Sequence, residues 1–244
     1  MGIVVDILVV LFIVLGAVAG AKRGLIKSLV GLIGLVAILI LSFSLKTPIA
    51  NFLIDKLPFM TYGGNLVGLS TINILFYNII SFVVVFIVLY SLLSIVIKIT
   101  GFVDTLLKLT VIWIIPSKIG GAIIGLMESW VYVYLVLFVL LQFSITYPLV
   151  DNSNVGKFVL DHTPVVGTYL KDVKDGAFKI YKSVDEYVKD ESKTTKELDL
   201  IILQTEINSG LLTKDKANEL IQTGKVELEG VQVALKEFKE WLNI

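Results

Sequence analysis

The sequence predicts an all-α polytopic membrane protein, with four transmembrane helices and a polar, helical C-terminal tail. Three observations carry this. Of the 244 residues, 56% are hydrophobic and 17% charged, where an ordinary soluble domain carries about 25% charged residues; mean hydropathy is +0.87. Four apolar runs are long enough to cross a bilayer. Charge is segregated as well: residues 1–146 hold eight Lys or Arg and four Asp or Glu, and residues 147–244 hold thirteen Lys and seventeen Asp or Glu. A membrane domain over 1–146 and a tail over 147–244 follow from that division.

A helix needs about 20 apolar residues to cross a hydrocarbon core of ~30 Å. The first run, residues 3–21, contains thirteen Val, Leu, Ile or Phe, which favour insertion by about 4–8 kcal/mol. The others are residues 24–45, 72–97 and 119–145. Ala17-Val18-Ala19 looks like a signal-peptidase site, but a signal peptide carries its cations before the apolar run. Here Lys22 and Arg23 come after it and a second span follows at once, so the reading is a membrane hairpin. Lys22, Arg23, Lys27, Lys98, Lys108 and Lys118 lie on one side, against Lys46 and Lys56 on the other. The positive-inside rule puts the six cations in the cytoplasm and both termini outside.

Between the spans, residues 48–58 read as an interfacial or re-entrant helix, with Pro48 at its start and Pro58 at its end. Residues 101–115 read as an interfacial segment on the inner side, anchored by Trp113 and ended by Pro116.

Small residues recur at helical spacing: Gly16, Gly20 and Gly24; Ser28, Gly31 and Gly34; Gly121, Gly125 and Ser129. Such stripes let helices approach closely in lipid, where no hydrophobic effect drives association. A single-chain bundle and a homo-oligomer both fit. Glu128 falls either near the bilayer centre or at the cytoplasmic interface, according to where the fourth span enters the membrane, with Lys118 and Lys108 as candidate partners. An ionisable residue at depth is a functional candidate by default. Asp6 lies near the outer surface and is expected to be solvated. Asn73, Tyr77 and Ser81 form a polar stripe with Asn78 beside it, suited to bonding between helices or to lining a hydrated path.

In the tail, Leu170, Val173, Ala177, Ile180, Val184 and Tyr187 make an amphipathic helical stripe. Asp190–Glu197 reads as a linker or helix end. Thr213 is an N-cap candidate and Gly224 a C′ candidate. A last helix would place Val231, Leu235, Phe238 and Trp241 on one face. The chain has no cysteine and one histidine, His162, expected at the surface. No catalytic motif, metal cluster, cofactor loop or nucleic-acid-binding basic block appears.

Residues 1–146 resemble the colicin V production (CvpA) family of bacterial membrane proteins. The resemblance rests on Asp6 in the first span, on "KRGLIKSLVGLIG" (Lys22–Gly34), on the four-span layout and on "KIGGAIIGLMES" (Lys118–Ser129). Family members often carry an acidic-basic pair before the last-span glycines; Ser117-Lys118 keeps only the base. The resemblance implies a bacterial inner- or cell-membrane protein tied to toxin or bacteriocin production and envelope integrity, as a transport or channel component. It implies no established chemistry. The alternative is a non-transporting scaffold whose exported tail binds an envelope protein or the cell wall.

Overall fold

The computed structural model describes residues 2–63, 66–107, 111–189, 194–226, 238, 240 and 241; for 99–107 and 111–115 the description is of the backbone alone. All regular structure among them is helical. Lys108, the Trp113 side chain and most of the final tail helix lie outside the described residues.

α1 (Gly2–Arg23) is apolar almost throughout and ends on two cations, which suit the negative pole of a helix. Gly24 follows with φ +90°, a conformation only glycine adopts without strain. Its N–H still donates to the Gly20 carbonyl (2.9 Å). That left-handed residue turns the chain directly into α2 (Leu25–Lys56). Pro48 does not open a separate helix, as expected from sequence, but lies inside α2. α3 covers Ile72–Leu107 and α4 Val111–Leu141. Pro116, expected to end a helix, also lies within one. Four segments are long and apolar enough to span a membrane: Gly2–Arg23, Leu25–Lys56, Ile72–Lys98 and Pro116–Leu141.

The described chain divides into two compact units. The first is Met1–Lys46 with Phe82–Tyr169, and the second Thr47–Ser81 with Leu170–Ile244. This grouping does not follow the linear division at residue 146, because residues 147–169 join the spans.

In the first unit α1 and α4 run antiparallel. Gly16 packs on Ser129 and Gly125, and Gly20 on Gly121 and Gly125. A Cβ added at Gly20 or Gly121 would overlap the other's carbonyl oxygen. Two of the small-residue stripes therefore meet each other inside one chain. Gly34 of the third receives Leu93 of α3. Three short helices then fold back along α4: α5 (Tyr147–Asp151), α6 (Asn154–His162) and α7 (Val166–Tyr169). Gly156 lies against Leu137, and Trp130 Nε1 donates to Thr163 Oγ1 at 2.9 Å. The chain then returns, and Tyr169 OH meets Ser44 Oγ at 2.8 Å. Trp130 lies about 21 Å along the helix from Pro116 and about 17 Å from Leu141. The turn after α6 is thus level with the middle of the fourth span.

The second unit is built on α8 (Lys171–Lys189), α9 (Thr195–Asn208) and α10 (Lys214–Gln222), with the chain between Thr47 and Ser81. Val173, Ala177, Ile180 and Val184 of the tail stripe are buried. Thr194 and Glu197 form a reciprocal capping box that starts α9. Thr213 caps α10 by accepting from the Lys216 N–H, and Gly224 takes φ +71° after it. Ile54, Ile74 and Tyr77 share one apolar core with Leu200, Leu203, Leu220 and Phe238.

Candidate functional site: a buried ion pair between spans

Glu128 is 1% exposed. It sits 12 residues into the Pro116–Leu141 segment, about 18 Å along the helix from the Pro116 end. Among the described residues its partner is Arg23 and not the sequence candidate Lys118; Lys108, the other candidate, lies outside the described residues. Arg23 Nη1 donates to Oε1 at 3.1 Å and Nη2 to Oε2 at 2.5 Å. This two-pronged geometry is the strong form of a carboxylate–guanidinium contact. The antiparallel Gly register makes it possible. Long helical side chains lean toward their own N-terminus, so Arg23 leans back along α1 and Glu128 leans back along α4 to meet it.

Gly31 makes room for the carboxylate, since a Cβ there would lie 2.9 Å from Oε1. One turn beyond Glu128, Tyr132 OH donates to Tyr90 OH at 2.8 Å. Ser117 Oγ accepts from the Leu25 N–H at 3.2 Å, fastening the α1–α2 turn to α4, and Ser28 Oγ donates to the Gly20 carbonyl at 3.4 Å across the turn itself. Lys22, Lys98 and Lys118 are exposed and Lys27 half-buried. The arrangement holds a charge pair whose carboxylate is buried and whose guanidinium side chain is one third exposed; among the described residues no group of three metal-ligating side chains occurs.

Asp6 is not merely solvated. Its carboxylate accepts from Ser153 Oγ (2.5 Å) and the Val155 N–H (3.0 Å), so it caps α6 from α1. Asn73 and Asn78 serve the second unit. Asn73 Oδ1 accepts from the Met60 N–H at 2.7 Å, and Nδ2 donates to the Met60 and Ser70 carbonyls, which fixes the loop ahead of α3. Asn78 Nδ2 donates to the Ile74 carbonyl of its own helix, and Tyr77 OH to the Pro58 carbonyl at 2.6 Å. His162 is exposed, as expected; its Nδ1–H donates to the Phe158 carbonyl at 2.9 Å.

Sequence reasoning missed two buried acids in α9. Asp199 accepts from the N–H and hydroxyl groups of both Ser70 and Thr71, at 2.5–3.0 Å, capping α3. Glu206, seven residues on, is fully buried and neither oxygen meets hydrogen-bond geometry. Their signal was an acid within the apolar run "LDLIILQTEI".

The family model for colicin V production proteins matches residues 5–164. The chain belongs to that family. The matched stretch holds all four spans and α6, together with Asp6, Arg23 and Glu128, and leaves α8–α10 outside. An uncharacterized transmembrane protein, YshB of Bacillus subtilis (strain 168), is 24% identical over 174 residues, covering 69% of this chain and 96% of the relative. No solved structure matches. The chain is thus a multi-pass membrane protein of a bacterial family, in contact with the lipid bilayer through its spans.

Proposed function

We propose that this colicin V production family member works in toxin or bacteriocin production or in envelope homeostasis, as a component of a transport or channel system. The role is not catalytic. The observation that carries the reading is the Arg23–Glu128 pair, made by segments long and apolar enough to span the membrane, with the carboxylate buried and a third of the Arg23 side chain exposed. Charges at such depth are costly, and a hydrophobic pair of similar volume often stabilises as well; retention of the pair is better explained by work done there. In this reading the protein lies in the inner membrane, and the positive-inside rule supports the cationic α1–α2 turn in the cytoplasm and both ends outside. Because the glycines of α1 and α4 are consumed within the chain, a homo-oligomer would form through other faces.

The test is the double variant Arg23→Gln/Glu128→Gln, which removes both charges and strands neither. Loss of bacteriocin export or envelope-stress tolerance at normal abundance supports the reading. Full function sinks it. The scaffold reading draws support from a folded helical tail beyond the family match. Deleting 190–244 does not test it cleanly, since that removes Leu200, Leu203 and Phe238 from the core they share with Ile54, Ile74 and Tyr77. Charge reversals on the exposed face of α8, such as Lys182→Glu, test partner binding without that damage.

A further inference from the structure

The fold-back of residues 147–169 creates a feature that the ion pair does not explain. A half-open cavity of about 350 Å³ lies at its turn. Leu32 and Val36 of α2, Leu126 and Trp130 of α4, and His162 and Val165 of the turn line it. Its volume is at the lower end of the range for ligand cavities, about 300–1,000 Å³.

The turn is unusual for its place. Val165 has φ +62°, the one non-glycine residue with positive φ among those described. For a β-branched side chain this conformation is strained. The Val166 N–H donates to the Pro164 carbonyl at 2.7 Å, closing a three-residue γ-turn, and the Val165 carbonyl accepts from the Tyr169 N–H at 2.9 Å. Pro164 has no N–H to satisfy. Irregular backbone at membrane depth must satisfy itself, be buried in protein or line water, and this turn largely satisfies itself. The cavity wall is apolar apart from the His162 ring. A hydrophilic solute there would leave its polar groups without partners, which disfavours it. A helix, about 10 Å across, does not fit.

We propose that this cavity is a lateral binding site for one acyl chain of a bilayer lipid, entering from the surrounding membrane. The wall is continuous with the surface the spans present to lipid: Leu126 and Met127 line the cavity and are each more than 40% exposed, as is Ile33 on the neighbouring turn of α2. The cavity is level with the middle of the fourth span, where acyl chains and not headgroups lie. The site is independent of whether anything is transported.

Trp130 reports on the site directly. The full chain carrying Trp113→Phe and Trp241→Phe is reconstituted in phosphatidylcholine vesicles whose chains are brominated at mid-length, and in unbrominated ones. Bromine quenches a nearby indole, so fluorescence should fall by half or more in the brominated vesicles. Filling the cavity from either wall, by Val36→Phe or Leu126→Phe, should restore most of that signal. A control Trp at Val10, a lipid-exposed position on α1, in a chain with all three native Trp replaced, should stay quenched in the filled variants. Two results would overturn the site: no quenching of Trp130, or quenching unchanged by both fillings, which would assign it to lipid outside the cavity. Folding is checked by size-exclusion, and either filled variant suffices.

Discussion

Replacing Glu206 by Gln should stabilise the protein, and more so as pH rises. Glu206 is fully buried in α9. Burial raises its carboxyl well above the usual value of 4.5, and Asp199 raises it further. A raised carboxyl means that the folded state holds a proton which the unfolded chain releases. Below about pH 4.5 both states are protonated and the group has no effect. Above it, stability falls with pH by up to about 1.4 kcal/mol per unit, until the folded carboxyl itself ionises. Glutamine keeps the shape without the titration. Unfolding of the detergent-solubilised chain can be followed from pH 5 to 8 through Trp241, which stacks on Phe238 of the second core, with Trp113 and Trp130 replaced by Phe. The two proteins should be close at pH 5 and separate steadily above it. A difference that is constant with pH, or a Gln variant weaker throughout, would refute the reasoning.

Other expectations follow from the same geometry. Arg23→Gln alone strands the Glu128 carboxylate. Breaking a fully buried pair costs about 3–5 kcal/mol, but a third of the Arg23 side chain is exposed, so about 2 kcal/mol is expected here, and most of it should return in the Arg23→Gln/Glu128→Gln double variant, read as melting temperature in detergent. Gly20→Val should prevent α1 and α4 from closing, at a cost of about 3 kcal/mol or more, visible as loss of the folded species on size-exclusion. Asp6→Ala removes the acceptor of Ser153 Oγ and the Val155 N–H while leaving the Ser153 cap on the Gly156 N–H, and should cost about 1 kcal/mol, with faster amide exchange at Val155 and little change in α8–α10. Lys182→Cys, on an exposed face of α8, should react with an impermeant maleimide in intact cells; reaction only after lysis would reverse the assigned orientation.

The membrane class was legible in the sequence because it depends on quantities that add along the chain. Run length and hydropathy decide whether a helix partitions into lipid, and neither needs a partner. The same holds for local caps: Thr213 and Gly224 act within one turn of helix, and both were readable. The glycine stripes showed that close packing would occur, and their spacing was right, but a stripe does not name its counterpart. Pro48 and Pro116 were read as boundaries, yet both lie within helices, although an interior proline removes a hydrogen bond and crowds the preceding turn at a cost of about 3 kcal/mol; local sequence alone does not decide whether a helix continues through one.

What only the tertiary structure decided are the pairings of residues far apart in the chain. Arg23 and Glu128 are 105 positions apart, and their contact depends on the antiparallel register that the glycines of α1 and α4 set by backbone approach. Asp6 finds Ser153, and Asp199 finds Ser70 and Thr71, by the same route. The return of residues 147–169 along α4 was hidden as well, since their polar composition reads as tail. Composition records what each side chain costs to bury. Which partner offsets that cost is a matter of distance, and distances between helices are set only when the chain has folded.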